Sequence, residues 1–230
     1  MKKGSTMSHK PIFITATNTN IGKTYTTLKL IEELSKKGFK VGVFKPIETG
    51  VCDVPRDGNL LFETAKMYNP LLEKLKLKDV VPYQFEQPAS PYVAKGKKKV
   101  SLVAIETAYL KIEALCDIVL IEGAGGLLTP IDDDFYMYDF IRLFNAKTLL
   151  VGHQNLGCIN DILLSLHLLD SLGVDNYEWC VNFKEDREDF DETTLPFFKK
   201  LFGRVLSVQD DMAEIAKSLI THIDVESDEL

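Results

Sequence analysis

Apolar residues in this chain concentrate in short runs, separated by stretches in which apolar positions recur three and four apart. The runs are Ile12-Phe13-Ile14, Val41-Gly42-Val43-Phe44, Cys116 to Ile121, Thr148-Leu149-Leu150-Val151 and Trp179 to Phe183. A continuous apolar run of strand length fits a strand buried on both faces, as in a parallel sheet. After the first run, Leu28, Leu30, Ile31 and Leu34 make one helical stripe against Lys29, Glu32, Glu33, Lys36 and Lys37. Leu102 to Leu115 and Phe135 to Phe144 also read as helices. A leucine-rich helix follows Asn160, and its apolar surplus exceeds one stripe, so burial against a second copy of the chain is expected as well as against the sheet. A charged loop from Lys184 to Glu192, a helix to Phe202, a short strand at Val205-Leu206 and a last helix to about Ile220 complete the reading. Strands alternate with helices, which predicts an α/β fold of three layers, a mostly parallel sheet with helices on both faces.

Residues 68–99 interrupt this rhythm with Pro70, Pro82, Pro88 and Pro91. They read as a loop over the ligand-binding face, in which Gln87 to Pro91 can line a pocket. Lys97-Lys98-Lys99 reads as a solvated turn. No repeat or linker divides the chain, so one domain is expected over 11–222, between an unstructured leader at 1–10 and an acidic tail at 223–230.

The formal net charge of −7 speaks against a broad nucleic-acid surface but leaves room for a local phosphate site. No apolar run approaches the ~20 residues of a membrane helix, and the first ten residues lack the apolar core of a signal peptide. Cys52, Cys116, Cys158 and Cys180 form no Cys-x-x-Cys pair and read as buried, reduced thiols of a cytoplasmic protein. The four histidines are scattered and predict no metal cluster.

The chemistry concentrates at strand ends. Thr15 to Thr24 runs from a strand through small residues to Gly22-Lys23-Thr24 and straight into a helix, the context of a phosphate-binding loop. Its backbone amides and the helix N-terminus cradle phosphate oxygens. Lys23 meets the β- and γ-phosphates, and the Thr24 hydroxyl is a hard ligand suited to Mg²⁺. Thr17 stands where the usual pattern has its first glycine. Val41–Phe44 opens onto Lys45-Pro46-Ile47-Glu48-Thr49-Gly50, a loop bracketed by Pro46 and Gly50 at the strand end where open α/β sheets place ligands. Asp57 stands just before Leu60-Leu61-Phe62, at a helix start, and reads either as its N-cap or as a ligand. The central run ends in Glu122, with Gly123, Ala124, Gly125 and Gly126 behind it, a carboxylate placed to bind or orient Mg²⁺ beside a phosphate loop. His153 to Asn160 leads into the leucine-rich helix, whose N-terminus is a second candidate anion site.

Four motifs, at 15–24, 45–50, 122–126 and 156–160, occur in the order and spacing of one family, and the chain resembles dethiobiotin synthetase over roughly 11–183. The resemblance implies a P-loop NTPase-like fold and an ATP-dependent reaction that converts diaminopelargonic acid and CO₂ to dethiobiotin, with ADP and phosphate. It implies that Lys23 and Lys45 are catalytic and that Thr24, Asp57 and Glu122 hold Mg²⁺. ATP would contact Thr19, Asn20, Ile21, Gly22, Lys23, Thr24, Tyr25, Glu122, Gly123, Ala124 and Gly125, with Asn182 at the purine. Lys45 and Thr49 would bind the amine end of the substrate. Its carboxylate would meet Gly157, Cys158, Ile159 and Asn160 of the partner subunit in a homodimer.

Ala16 and Asn20 depart from the family at a glycine and a commonly acidic position. Val205 to Gln209 lacks the proline-containing segment that holds adenine in the family, so weak base discrimination is expected. The alternative within the same fold is a partitioning-type ATPase switch. Such proteins carry a second lysine early in the phosphate loop, where this chain has Asn18.

Overall fold

The computed structural model describes residues 9–221, so most of the expected leader and the acidic tail lie outside the described residues. The His9 amide donates to the Asp117 carbonyl at 3.2 Å, and its ring meets Phe39 edge-on at 5.0 Å.

The chain runs through β1 (Ile12–Ala16), α1 (Lys23–Lys36), β2 (Val41–Phe44), β3 (Ile47–Thr49) and α2 (Arg56–Tyr68). A 3₁₀ turn at Pro70–Lys74 leads to α3 (Leu77–Val80), β4 (Tyr83–Phe85), α4 (Pro91–Ala94) and α5 (Leu102–Glu113). Next come β5 (Ile118–Glu122), β6 (Pro130–Asp132), β7 (Phe135–Tyr136), α6 (Asp139–Leu143), β8 (Lys147–His153) and α7 (Cys158–Ser171). The last elements are β9 (Tyr177–Asn182), α8 (Glu188–Thr193), α9 (Leu195–Phe202) and α10 (Met212–Ile220).

Five strands form one parallel sheet in the order β2-β5-β1-β8-β9. β1 is central, and its neighbours β5 and β8 come from later in the chain, so the loop leaving β1 sits at a topological switch point. Ile14 is in register with Glu122, which brings the acid at the end of β5 beside that loop.

Alternate residues of β8 and β9 serve two cores, as the two-residue period of a strand requires. Leu149, Val151 and Cys180 join the large core with Leu30, Leu34 and Ile215, from α1 and α10. Leu150, Trp179 and Val181 face the other way, to Ile162, Leu166, Phe190 and Phe198 of α7, α8 and α9. This two-sided burial explains why the middles of these strands, Leu149 to Val151 and Trp179 to Val181, are apolar at consecutive positions.

The structure corrects the expectations in several places. The 45–50 segment is not wholly loop: β3 pairs in parallel with β4, outside the main sheet. Residues 135–144 are not one helix, because Phe135–Tyr136 pairs antiparallel with Pro130–Asp132 before α6 begins. The charged 184–192 loop contains most of α8, seated by Phe190 in the second core. Val205-Leu206 is not a strand; the neighbouring Ser207 makes an isolated parallel bridge with Val181. Asp57 does not cap α2, since Pro55 holds that place and Asp57 lies in the first turn. Cys158 and Cys180 are buried, but Cys52 is exposed and Cys116 is half-buried. Among the described residues no helix is long and apolar enough to cross a membrane.

Candidate active site

Thr17 to Gly22 carries the chain from β1 into α1. Gly22 has φ +115°, and a Cβ there would lie 2.0 Å from Asn182 Nδ2, so backbone and neighbour both demand glycine. α1 has no side-chain cap, and Thr26 makes its first intrahelical amide bond, 2.9 Å to the Gly22 carbonyl. The amides of Lys23, Thr24 and Tyr25 precede that bond and, with the loop, form a cradle suited to anions. Lys23 is 8% exposed, and its Nζ donates to the Asn18 carbonyl at 3.0 Å. Burial, then the charge of Lys45, lowers its pKa to about 8.

Glu122 gathers three donors at the end of β5. Its Oε1 accepts from Lys45 Nζ at 2.7 Å and from the Thr24 hydroxyl at 3.0 Å. Its Oε2 accepts from the Thr27 hydroxyl at 2.8 Å. Lys45 Nζ also lies 3.4 Å from the Gly123 carbonyl and 3.8 Å from Asp57 Oδ2. Burial alone would lower the Lys45 pKa, but the Glu122 and Asp57 carboxylates outweigh it and hold the ammonium above its ordinary value.

Lys23, Thr24, Lys45 and Asp57 border a cavity of about 840 Å³, whereas Glu122 and Thr27 are not among its lining residues. Thr19, Asn20, Gly22, Lys23, Thr24 and Tyr25 form its phosphate-loop side, and Gly123, Ala124 and Gly125 form the wall after β5. Lys45, Glu48, Thr49 and Asp57 line a third side, and Asn182, Phe183, Lys184 and Gln209 close the far end. Ile21 faces a smaller neighbouring cavity beside His153. Gln87 to Pro91, expected to line a pocket, are not among the residues bordering this cavity. Gly157, Cys158, Ile159 and Asn160 do not border it either: they form the N-terminus of α7, after a Gly157 cap with φ +96°.

Among the described residues no group of three or more His, Cys, Asp and Glu converges as a metal centre. The Thr24 hydroxyl and Glu122 carboxylate are adjacent oxygens, and Asp57 reaches the same Lys45 ammonium. This small set of hard donors fits Mg²⁺, which keeps water and takes phosphate oxygens rather than needing a full protein cage.

The far end joins the expected Asn182 to residues that sequence reasoning did not place in the site. Asn182 Nδ2 donates to the Ile21 carbonyl at 2.7 Å, tying β9 to the phosphate loop. Gln209 Nε2 donates to Asn182 Oδ1 at 2.8 Å and to the Phe183 carbonyl at 2.7 Å, while its Oε1 accepts from the Phe183 amide at 3.1 Å. Lys184 Nζ donates to the Asn20 carbonyl. Thr27 was legible in principle, one turn beyond Lys23 on the same helix. Gln209 and Glu48 carried no local signal.

Comparison with known proteins agrees with this geometry. A family model described as an AAA domain matches residues 10–195. The ATP-dependent dethiobiotin synthetase BioD of Sulfurovum sp. (strain NBC37-1) is 46% identical over 208 residues, covering 90% of this chain and 99% of the relative. The protein of the same name from Wolinella succinogenes is 34% identical over 218 residues, covering 93% of this chain and 100% of the relative. A plasmid partition protein from Borrelia burgdorferi shares the fold with a TM-score of 0.52 at 12% identity, over 92% of this chain and 96% of that one. With a phosphate loop and a second lysine meeting at one cavity, both bonded to a buried acid, and relatives of this identity along nearly their whole length, the chain belongs to the ATP-dependent dethiobiotin synthetases.

Proposed function

We propose that this protein is a magnesium-dependent ligase that forms dethiobiotin from diaminopelargonic acid, CO₂ and ATP, releasing ADP and phosphate, as a step of biotin synthesis. The observation that carries the reading is that Lys23, Lys45, Thr24 and Thr49 line one cavity, with Lys45 and Thr24 both bonded to the buried Glu122. A phosphate loop accounts for the first and third of these. Lys45 and Thr49 are additional, and they give the site a place for a second anionic reactant.

In this reading one substrate amine takes up CO₂ as a carbamate, whose oxygen attacks the γ-phosphate. The other amine then attacks the carbamate carbon, closes the cyclic urea and expels phosphate. Transfer to such a weak nucleophile depends on positioning and charge neutralisation. Lys45, kept charged by its carboxylate neighbours, stabilises carbamate and mixed anhydride. Lys23 leaves the Asn18 carbonyl for the β- and γ-phosphates. Thr49 orients the nitrogen-bearing end of the substrate. Thr24, Asp57 and Glu122 would hold Mg²⁺, which supplies charge neutralisation on the transferring phosphoryl group when bound.

The substrate carboxylate would bind Gly157 to Asn160 of a partner subunit. Two features support a homodimer: those residues lie outside this chain's own cavity, and Leu156 and Leu164 beside them are exposed. A cytoplasmic, single-domain enzyme without nucleic-acid or membrane partners completes the reading. The test is whether ADP release requires both diaminopelargonic acid and bicarbonate and yields a product of the mass of dethiobiotin. Hydrolysis independent of the diamine would favour the ATPase-switch alternative instead.

A further inference from the structure

α2 begins after Pro55 with no cap from its own side chains. The amides of Asp57 and Gly58 lie in its first turn, where no intrahelical acceptor exists. Both donate to one carboxylate from another element: Asp57 N to Glu48 Oε1 at 3.1 Å, and Gly58 N to Glu48 Oε2 at 2.8 Å. Glu48 sits on β3 between Lys45 and Thr49 and is 7% exposed. A carboxylate gripping a helix N-terminus through two charge-assisted bonds has the favourable dipole orientation and a fixed geometry. The joint is close-fitting. A Cβ on Gly58 would lie 2.1 Å from Val81 Cγ2 and 3.2 Å from Glu48 Oε2.

The Asp57 side chain is 52% exposed and pairs with Lys45 only at 3.8 Å. Its place is therefore set by the backbone that carries it, and Glu48 holds that backbone. We propose that Glu48 is a positioning residue: from the substrate-side strand it caps α2 and so sets Asp57 against Lys45 and the oxygens that would receive Mg²⁺. This rests on the reading of Asp57 as a metal ligand.

The test uses Mn²⁺ as probe. Free Mn²⁺ is measured by electron paramagnetic resonance in the presence of saturating ADP, for the wild type, Glu48→Gln, Asp57→Asn and the double variant. Glu48→Gln keeps one acceptor oxygen and turns an amide NH₂ toward the other donor. It should weaken Mn²⁺ binding about tenfold, the low end for groups that orient metal ligands. Its metal-free ADP affinity should stay at the wild-type value. The double variant should bind Mn²⁺ no worse than Asp57→Asn alone, because both act through one group. Loss in Asp57→Asn with full Mn²⁺ affinity in Glu48→Gln would overturn the role of Glu48 and leave an ordinary helix cap, visible only as a lower Tm. Full affinity in Asp57→Asn would instead remove Asp57 from the metal site, and the proposal with it. Should Glu48→Gln fail to fold, amide exchange in the wild type decides: Mn²⁺ and ADP together should slow exchange at Asp57 and Gly58 more than ADP alone, and equal rates would overturn the proposal.

Discussion

The Lys45 ammonium and Glu122 Oε1 stand 2.7 Å apart with both side chains almost wholly buried, joining the end of β2 to the end of β5 beneath the phosphate loop. Losing one partner of such a pair strands the other charge and typically costs about 3–5 kcal/mol. A neutral isostere limits that damage. Glu122→Gln should therefore keep the fold while lowering kcat at least ~10²-fold, the scale of one preorganised electrostatic group. Circular dichroism and steady-state turnover check the two halves, and near-wild-type kcat would remove Glu122 from the metal site.

Lys23 carries a pH prediction. Its folded pKa, about 8, lies below the ordinary lysine value of 10.5 because of burial and Lys45. The unfolded chain then binds more protons between those two values, so this group's contribution makes the protein more stable as pH rises through that window. Nucleotide binding runs the other way, since phosphates require the protonated ammonium. ATP affinity, measured by calorimetry, should fall about tenfold between pH 7 and pH 9 as the free protein loses that proton. A flat profile would mean that Lys23 does not meet the phosphates.

Base selectivity should be weak. Asn182 would be the base reader by resemblance, yet its amide is already engaged at both ends, by the Ile21 carbonyl and by Gln209. GTP or CTP should support turnover within about tenfold of ATP, a gap of ~1.4 kcal/mol. A thousandfold preference for ATP would assign the base to another segment, with Lys184 to Glu188 the first to mutate.

The shared site predicts complementation. A carboxylate suits the amides and positive dipole end at the start of α7. Ile159→Asp puts a like charge there and should raise KM for the diamine more than for ATP. Mixed with Lys45→Ala, it should recover activity, because one site of the mixed dimer pairs an intact Lys45 with an intact α7 terminus. If subunits exchange, as mass spectrometry can establish, and no activity returns, the carboxylate is bound within one chain.

The sequence by itself determined the main sheet and marked the residues of the candidate site. β1, β2, β5, β8 and β9 are buried on both faces, so their apolar runs announce them, and Gly22-Lys23-Thr24 and Glu122 fall at strand ends that a parallel fold must gather. Local pattern carried this because both the strand's period and the loop's chemistry are written within ten residues. Tertiary structure alone decided the rest. β3 and β4 are three residues each and pair across a stretch that reads as loop, and β6 has three residues and β7 two. Strands of that length show no periodicity, and their pairing is settled by the surface they land on. The grip of Glu48 on α2 and of Gln209 on Asn182 joins separate elements through side-chain hydrogen bonds. Such bonds form wherever folding leaves an amide without an acceptor, and no residue's neighbours in the chain reveal where that will be.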